Sequence, residues 1–347
     1  MAHRGGPPAI ATVTAEVVVS APRLVPSAKS YSAGDAVLLL ALSSMWGLSF
    51  LFIEISLREL APLWIVVGRT GVGGLVLLTL LAIRRTGLPN RLRTWGHLLI
   101  LGSVNNAAPW AAIAWAQQSL PSGLTALLMA VVPTSTLVVS ALVGLERVTR
   151  RRLLGLVLAL GGVAAIVLGD LDEPGRVLAV LVVVTATLAY AAGAVYAKSF
   201  VSGTVAPLPL ATGQVMCATA VSVPVALAVE GAPPALTTLG GATLTSVFLL
   251  GALGTGFAFF VFYTLIARVG ATNTTMVTYL IPLVAIVAGA IVLDERLGVP
   301  ALVGGALIVL GIWLAQRSTV AASAVPVSEA GVTADHSATD GTHQDLR

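Results

Sequence analysis

Residues 130–168 read AVVPTSTLVVSALVGLERVTRRRLLGLVLALGGVAAIVL, and residues 279–317 read YLIPLVAIVAGAIVLDERLGVPALVGGALIVLGIWLAQR. The two stretches align without a gap at an offset of 149, the difference between Pro133 and Pro282. Ten of the thirty-nine positions are identical, and five of those are residues that hydrophobicity alone would not choose. They are Pro133 with Pro282, Glu146-Arg147 with Glu295-Arg296, Gly155 with Gly304, and Gly162 with Gly311. A fixed offset of this kind marks an internal duplication. Each copy reads as an apolar helix, a charged turn and a glycine-rich helix.

Working outward, the 347 residues are 57 % hydrophobic and only 10 % charged, with a mean hydropathy of +0.96. No soluble core needs that much apolar sequence, so the chain is expected to be an all-helical, polytopic membrane protein. Runs long enough to span lie near 36–57, 61–83, 97–118, 122–145, 152–169, 176–197, 205–229, 243–267, 271–293 and 299–316, which makes ten. With the N-terminus inside, inner segments hold fifteen of the nineteen Lys and Arg residues and outer loops only three, Arg58, Arg176 and Arg296. That asymmetry places both termini in the cytoplasm of a plasma-membrane protein. Five helices per half is an odd number, so the second copy enters the membrane upside down. The inner turn reads LERVTRRR and the outer one LDERLGVP, with the arginine cluster on the inner copy alone. The expected architecture is two inverted five-helix repeats, 35–169 and 176–317, between disordered cytoplasmic tails at 1–34 and 318–347.

The same composition excludes several functions. Basic residues fall in short clusters without aromatic interleaving, which argues against nucleic-acid binding. The sole cysteine, Cys217, sits in an apolar run, and His336 and His343 are too loosely spaced for a metal site. No H-E-x-x-H, G-x-S-x-G or Walker motif occurs, so neither an enzyme nor an ATP-driven pump is indicated, and no cofactor is expected.

These features resemble the EamA family of the drug/metabolite transporter superfamily. The resemblance rests on WGLSF at 46–50, on the arginine of VVGRTGVGG in the second helix, and on the paired segments 115–148 and 264–297. It covers about residues 35 to 317. It implies ten helices in two repeats, with helices 5 and 10 as scaffold and helices 1, 3, 4, 6, 8 and 9 around a central cavity. The second half departs from the first, with Tyr190 in the place of Trp46 and Gln214 in the place of Arg69. The implied activity is transport of a small metabolite, amino acid-like compound or drug by alternating access, as an exporter. The competing reading is a sensor, scaffold or lipid-handling protein on the same fold.

Several residues are candidates for that cavity. Pro133 and Pro282 each remove a helical hydrogen bond, which frees the carbonyls of Met129 and Thr278. In lipid such a carbonyl needs protein, water or substrate as partner, so the prolines are either hinges lining the cavity or kinks satisfied by neighbouring helices. Arg69 is the basic residue well inside an apolar run, a functional candidate by default. Glu54, near the end of helix 1, is within reach as a structural partner, and a Glu54–Arg69 pair competes with anion binding by Arg69 and with proton coupling through Glu54. Asn105 and Asn106, followed by Trp110, fall near the middle of helix 3, where amides must face partners or water. Trp46, Tyr190, Tyr196, Phe259, Tyr263 and Tyr279 complete a candidate aromatic wall, against ordinary packing or an interfacial belt. Expected partners are a small-molecule substrate and membrane lipid, and the glycine-rich helices offer a surface for a homodimer.

Overall fold

A computed structural model describes residues 32–146, 148–169, 173–201 and 203–322, without side-chain detail for 271, 272 and 316–322. The expected tails at 1–34 and 318–347 lie almost wholly outside these residues. Every element of regular structure among the described residues is helical. Eight helices are long and apolar enough to cross a membrane: α1 (Ala33–Ser56), α2 (Pro62–Ile83), α3 (Leu92–Ala116), α4 (Ser122–Leu142), α5 (Arg150–Gly169), α6 (Pro174–Phe200), α7 (Pro207–Val229) and α8 (Gly241–Val269). Two further apolar helices follow, α9 (Val277–Val292) and α10 (Val299–Ala322). The α9 helix has 16 residues, shorter than a straight span needs, because the chain spends the start of that apolar run on a separate turn of helix at Ala271–Thr274.

Local chemistry sets these boundaries. Ser32 and Asp35 form a reciprocal capping box at the start of α1, and proline opens α2, α6 and α7, where a missing N–H removes no bond. Gly270, at φ +85°, ends α8 in a conformation that disfavours any side chain.

Glycine sets the packing, since lipid provides no hydrophobic drive between helices and close van der Waals approach must hold them. Helices α5 and α10 form the most extensive helix pair. A Cβ on Gly155 would strike the Gly311 carbonyl, and one on Gly162 the Gly304 carbonyl. The pairing is crossed relative to the alignment, which joins 155 to 304 and 162 to 311, so the two helices run antiparallel. The glycine faces that offered a surface for a second copy therefore meet within one chain. Elsewhere Gly73 of α2 lies against Thr255 of α8, and Gly102 of α3 against the Gln214 carbonyl of α7.

Two helices leave the α-helical path. Residues Ser103–Ala107 of α3 and Ala252–Phe257 of α8 are π-helical. They begin at positions separated by the same 149 residues as the duplicated prolines.

Candidate functional site

Arg69 shows how the π segments matter. A π turn widens the helix and loosens the i to i−4 hydrogen-bond ladder, leaving backbone carbonyls to find other donors. In α8 this places the Gly254 carbonyl and the Thr255 hydroxyl toward α2. Arg69 Nε donates to Thr255 Oγ1 at 3.0 Å and Nη2 to the Gly254 carbonyl at 3.4 Å. The guanidinium carbon lies 3.9 Å from the centroid of the Trp110 ring of α3, a cation–π contact of the kind that gains strength away from water. Arg69 is 7 % exposed. The close approach depends on Gly73 and Gly251, since a Cβ on either would meet Thr255 or Val72.

The Glu54–Arg69 pair is not formed. Arg69 turns toward α8, where the π segment provides acceptors, and Glu54 accepts from Gln117 Nε2 at 3.3 Å. The same amide nitrogen donates to the Phe50 carbonyl at 2.9 Å, so Gln117 ties the end of α3 to α1.

Asn106, in the α3 π segment, is fully buried, and neither its Oδ1 nor its Nδ2 has a partner. A buried amide left so is costly, about 1–3 kcal/mol or more, unless water or a ligand satisfies it. Asn106 stands 149 residues before Thr255, the residue that holds Arg69. Gln214, the second-half residue in the place of Arg69, carries no charge, so Asn106 faces no equivalent cation. Its neighbour Asn105 packs instead against Gly193 of α6, where a Cβ would come within 2.8 Å of the Asn105 Cβ.

The remaining candidates divide among separate clusters. Trp110, Met129 and Tyr190 join Phe50, Ile65 and Leu250 in one core contributed by α1–α4, α6, α8 and α9. Met129 also touches a second core together with Tyr279, against α5 and α10. Trp46 packs at the α1–α8 contact, its ring centroid 5.3 Å from that of Phe262, and Tyr263 lies against Leu77, Ala211 and Val215. These two aromatics do not meet Trp110. His97 of α3 bonds the Tyr196 hydroxyl through Nδ1 at 2.7 Å and stacks on Phe200.

Pro133 lies at a break within α4: the helix stops at Met129 and resumes at Val132, so Pro133 sits in the first turn of the second segment, where its missing N–H is tolerated. It lines a cavity of about 120 Å³ with Thr134, Leu137, Glu146 and Arg152. Pro282 does lie inside α9, and the Thr278 hydroxyl closes onto the Thr275 carbonyl at 2.7 Å. At the other end of the bundle a cavity of about 380 Å³ is lined by Glu54, Arg58, Gln117, Leu293 and Glu295.

Sequence reasoning missed Gln117, Gly254 and Thr255. The last two had a signal, because adding 149 to Asn105 and Asn106 reaches them. Gln117 had none, lying where helix ends are ordinarily polar.

A family model described as the EamA-like transporter family matches residues 34–168 and 177–316. The chain is 30 % identical over 301 residues to the "Uncharacterized transporter YvbV" of Bacillus subtilis, covering 85 % of this chain and 96 % of that one. It is 24 % identical over 287 residues to the "Probable amino-acid metabolite efflux pump" of Escherichia coli K12, covering 81 % and 94 %. A solved crystal structure, 18 % identical, superposes with a TM-score of 0.60 over 83 % of this chain and 99 % of its own, a likeness of fold.

Proposed function

The chain belongs to the EamA-like transporter family, and from that premise we propose that it is a secondary transporter exporting a small amphipathic metabolite, amino acid-like compound or drug. Ten spans, arranged as two inverted repeats with both termini cytoplasmic, would carry substrate by alternating access. The antiparallel, crossed glycine contact of α5 with α10 supports this arrangement, because a two-fold axis relates i to j and j to i.

The observation that carries the reading is the pair of π segments at equivalent positions of the two halves. Irregular backbone at membrane depth persists where protein or a polar cavity satisfies it, and π turns concentrate at functional sites. One segment holds Arg69 and the other presents the unpartnered amide of Asn106. A substrate with a polar or anionic head and an apolar body suits that combination, with Trp110 and Tyr190 as the aromatic wall. The efflux-pump relative supports a substrate of metabolite size.

The test is flux of a labelled amino-acid and metabolite panel in proteoliposomes, comparing wild type with Arg69→Ala and Asn106→Ala. Saturable flux of one compound is expected, cut at least about tenfold by Arg69→Ala, as loss of a charge-assisted contact implies. Flux unaffected by both substitutions in folded protein would remove these residues from the pathway.

A further inference from the structure

At one end of the bundle, three carboxylates each close onto the start of a helix in the other half of the chain. Glu230 accepts from the Leu63 N–H at 2.9 Å and the Trp64 N–H at 3.2 Å, at the start of α2. Glu59 accepts from the Gly240 N–H at 2.8 Å, at the start of α8, and hydrogen bonds from the Thr243 hydroxyl and this N–H hold its carboxyl below the usual carboxylate range. Glu295 accepts from the Ser122 N–H at 2.8 Å and the Gly123 N–H at 3.1 Å, at the start of α4. Each places negative charge where four N–H groups lack helical partners and the helix dipole is positive. By the arginine distribution this is the outer end.

Glu295 differs from the other two in how it is seated. Its carboxylate lies over Gly289 of α9, where any Cβ would collide with Oε2, and beside the buried Ser122 hydroxyl, which has no partner. It also lines the 380 Å³ cavity at this end, which it shares with Glu54, Arg58 and Gln117. The inner copy of the turn is built on the same backbone bond. Glu146 N donates to the Ser140 carbonyl at 3.3 Å, as Glu295 N donates to Gly289 at 3.1 Å, each pair at the 149 offset. Yet Ser140 carries the Cβ that Gly289 lacks, and the Glu146 carboxylate pairs with Arg152 of its own half at 3.1 Å. The duplicated turn thus holds two different contacts, one across the halves and one within a half.

We propose that Glu295 is the latch of the outer gate: its carboxylate fastens the start of α4 to the α9–α10 turn, and its release is the step that opens the cavity at that end toward the centre. The structure is the latched, outwardly closed state. At the inner end, Asp35 and Arg268 bridge the halves at 3.4 Å, with the arginine side chain more than half exposed, a weak tie beside three caps. The inference rests on the transporter reading above.

The test uses the full chain in lipid nanodiscs with Cys217 replaced by Ala. Ser122→Cys is isosteric, and because its hydroxyl has no partner the substitution removes no hydrogen bond. Its labelling by a bulky hydrophilic maleimide reports latch opening, with exposed Ser119→Cys as the reference for reagent and fold. Glu295→Gln weakens the cap without changing shape, and Gly289→Ala displaces the carboxylate without removing its charge. Both are expected to raise Ser122→Cys labelling about tenfold or more while Ser119→Cys stays constant, the shift that loss of a charge-assisted bond gives. An unchanged rate in either variant overturns the latch. Labelling needs no substrate, so the two claims fail separately. A raised rate in a protein that moves no compound defeats the transporter reading, and flux with an unchanged rate defeats the latch.

Discussion

Arg69 is held by one hydroxyl, one carbonyl and one indole face, all from helices other than its own. Among the described residues it makes no ion pair, so its charge is stabilised by dipoles and a ring. That leaves it free to meet an anionic group without first breaking a salt bridge, which would cost several kcal/mol at depth. Thr255→Val keeps the shape of the side chain and removes the closest acceptor. We expect it to destabilise the protein by about 1.5–3 kcal/mol, the value of a hydrogen bond to a charged group. Thermal unfolding in detergent should show the loss, against Thr79→Val, whose hydroxyl bonds only within its own helix. Equal midpoints for the two variants would mean that Thr255 does not hold Arg69. The sequence made Arg69 conspicuous, since a charge inside an apolar run has few explanations, but its partners were hidden. Glu54 was the nearest carboxylate by helix arithmetic, and Arg69 chose neutral acceptors that only a π turn exposes.

At the scale of helices, the duplication was legible because five of its identities fall on residues with specific backbone or charge roles. Its geometry was less so. Alignment joins Gly155 to Gly304, whereas the structure packs Gly155 on Gly311 and Gly162 on Gly304, because the two helices run antiparallel. The π segments were invisible for another reason: one widened turn shifts the hydrophobic phase by a single residue inside a helix apolar on most sides. The break before Pro133 escaped likewise, since a proline within a helix and a proline in a first turn look the same in sequence. Gly162→Leu should separate α5 from α10, costing at least about 1–3 kcal/mol by overpacking. The neighbouring Gly161→Leu, which meets nothing within 4 Å, should be near neutral. Comparison of their thermal midpoints checks this, and equal losses would show that the contact is not what holds the two helices together.

For the whole molecule, the two halves share a plan and differ at the candidate site residues. Arg69 faces Thr255 across one pair of helices, and Asn106 faces no cation across the other. Glu295 crosses between halves while Glu146 stays within its own. In the proposed alternating-access cycle, the shared plan of the halves would supply the two arrangements, and the residues that differ between them would set direction and substrate. The most direct measurement of that account is counterflow. Proteoliposomes loaded with a high concentration of the transported compound receive a trace of labelled compound outside. A carrier with alternating access predicts transient accumulation of label above its equilibrium level, abolished by Arg69→Ala. Simple equilibration without overshoot, or no movement of any compound by folded protein, would contradict it.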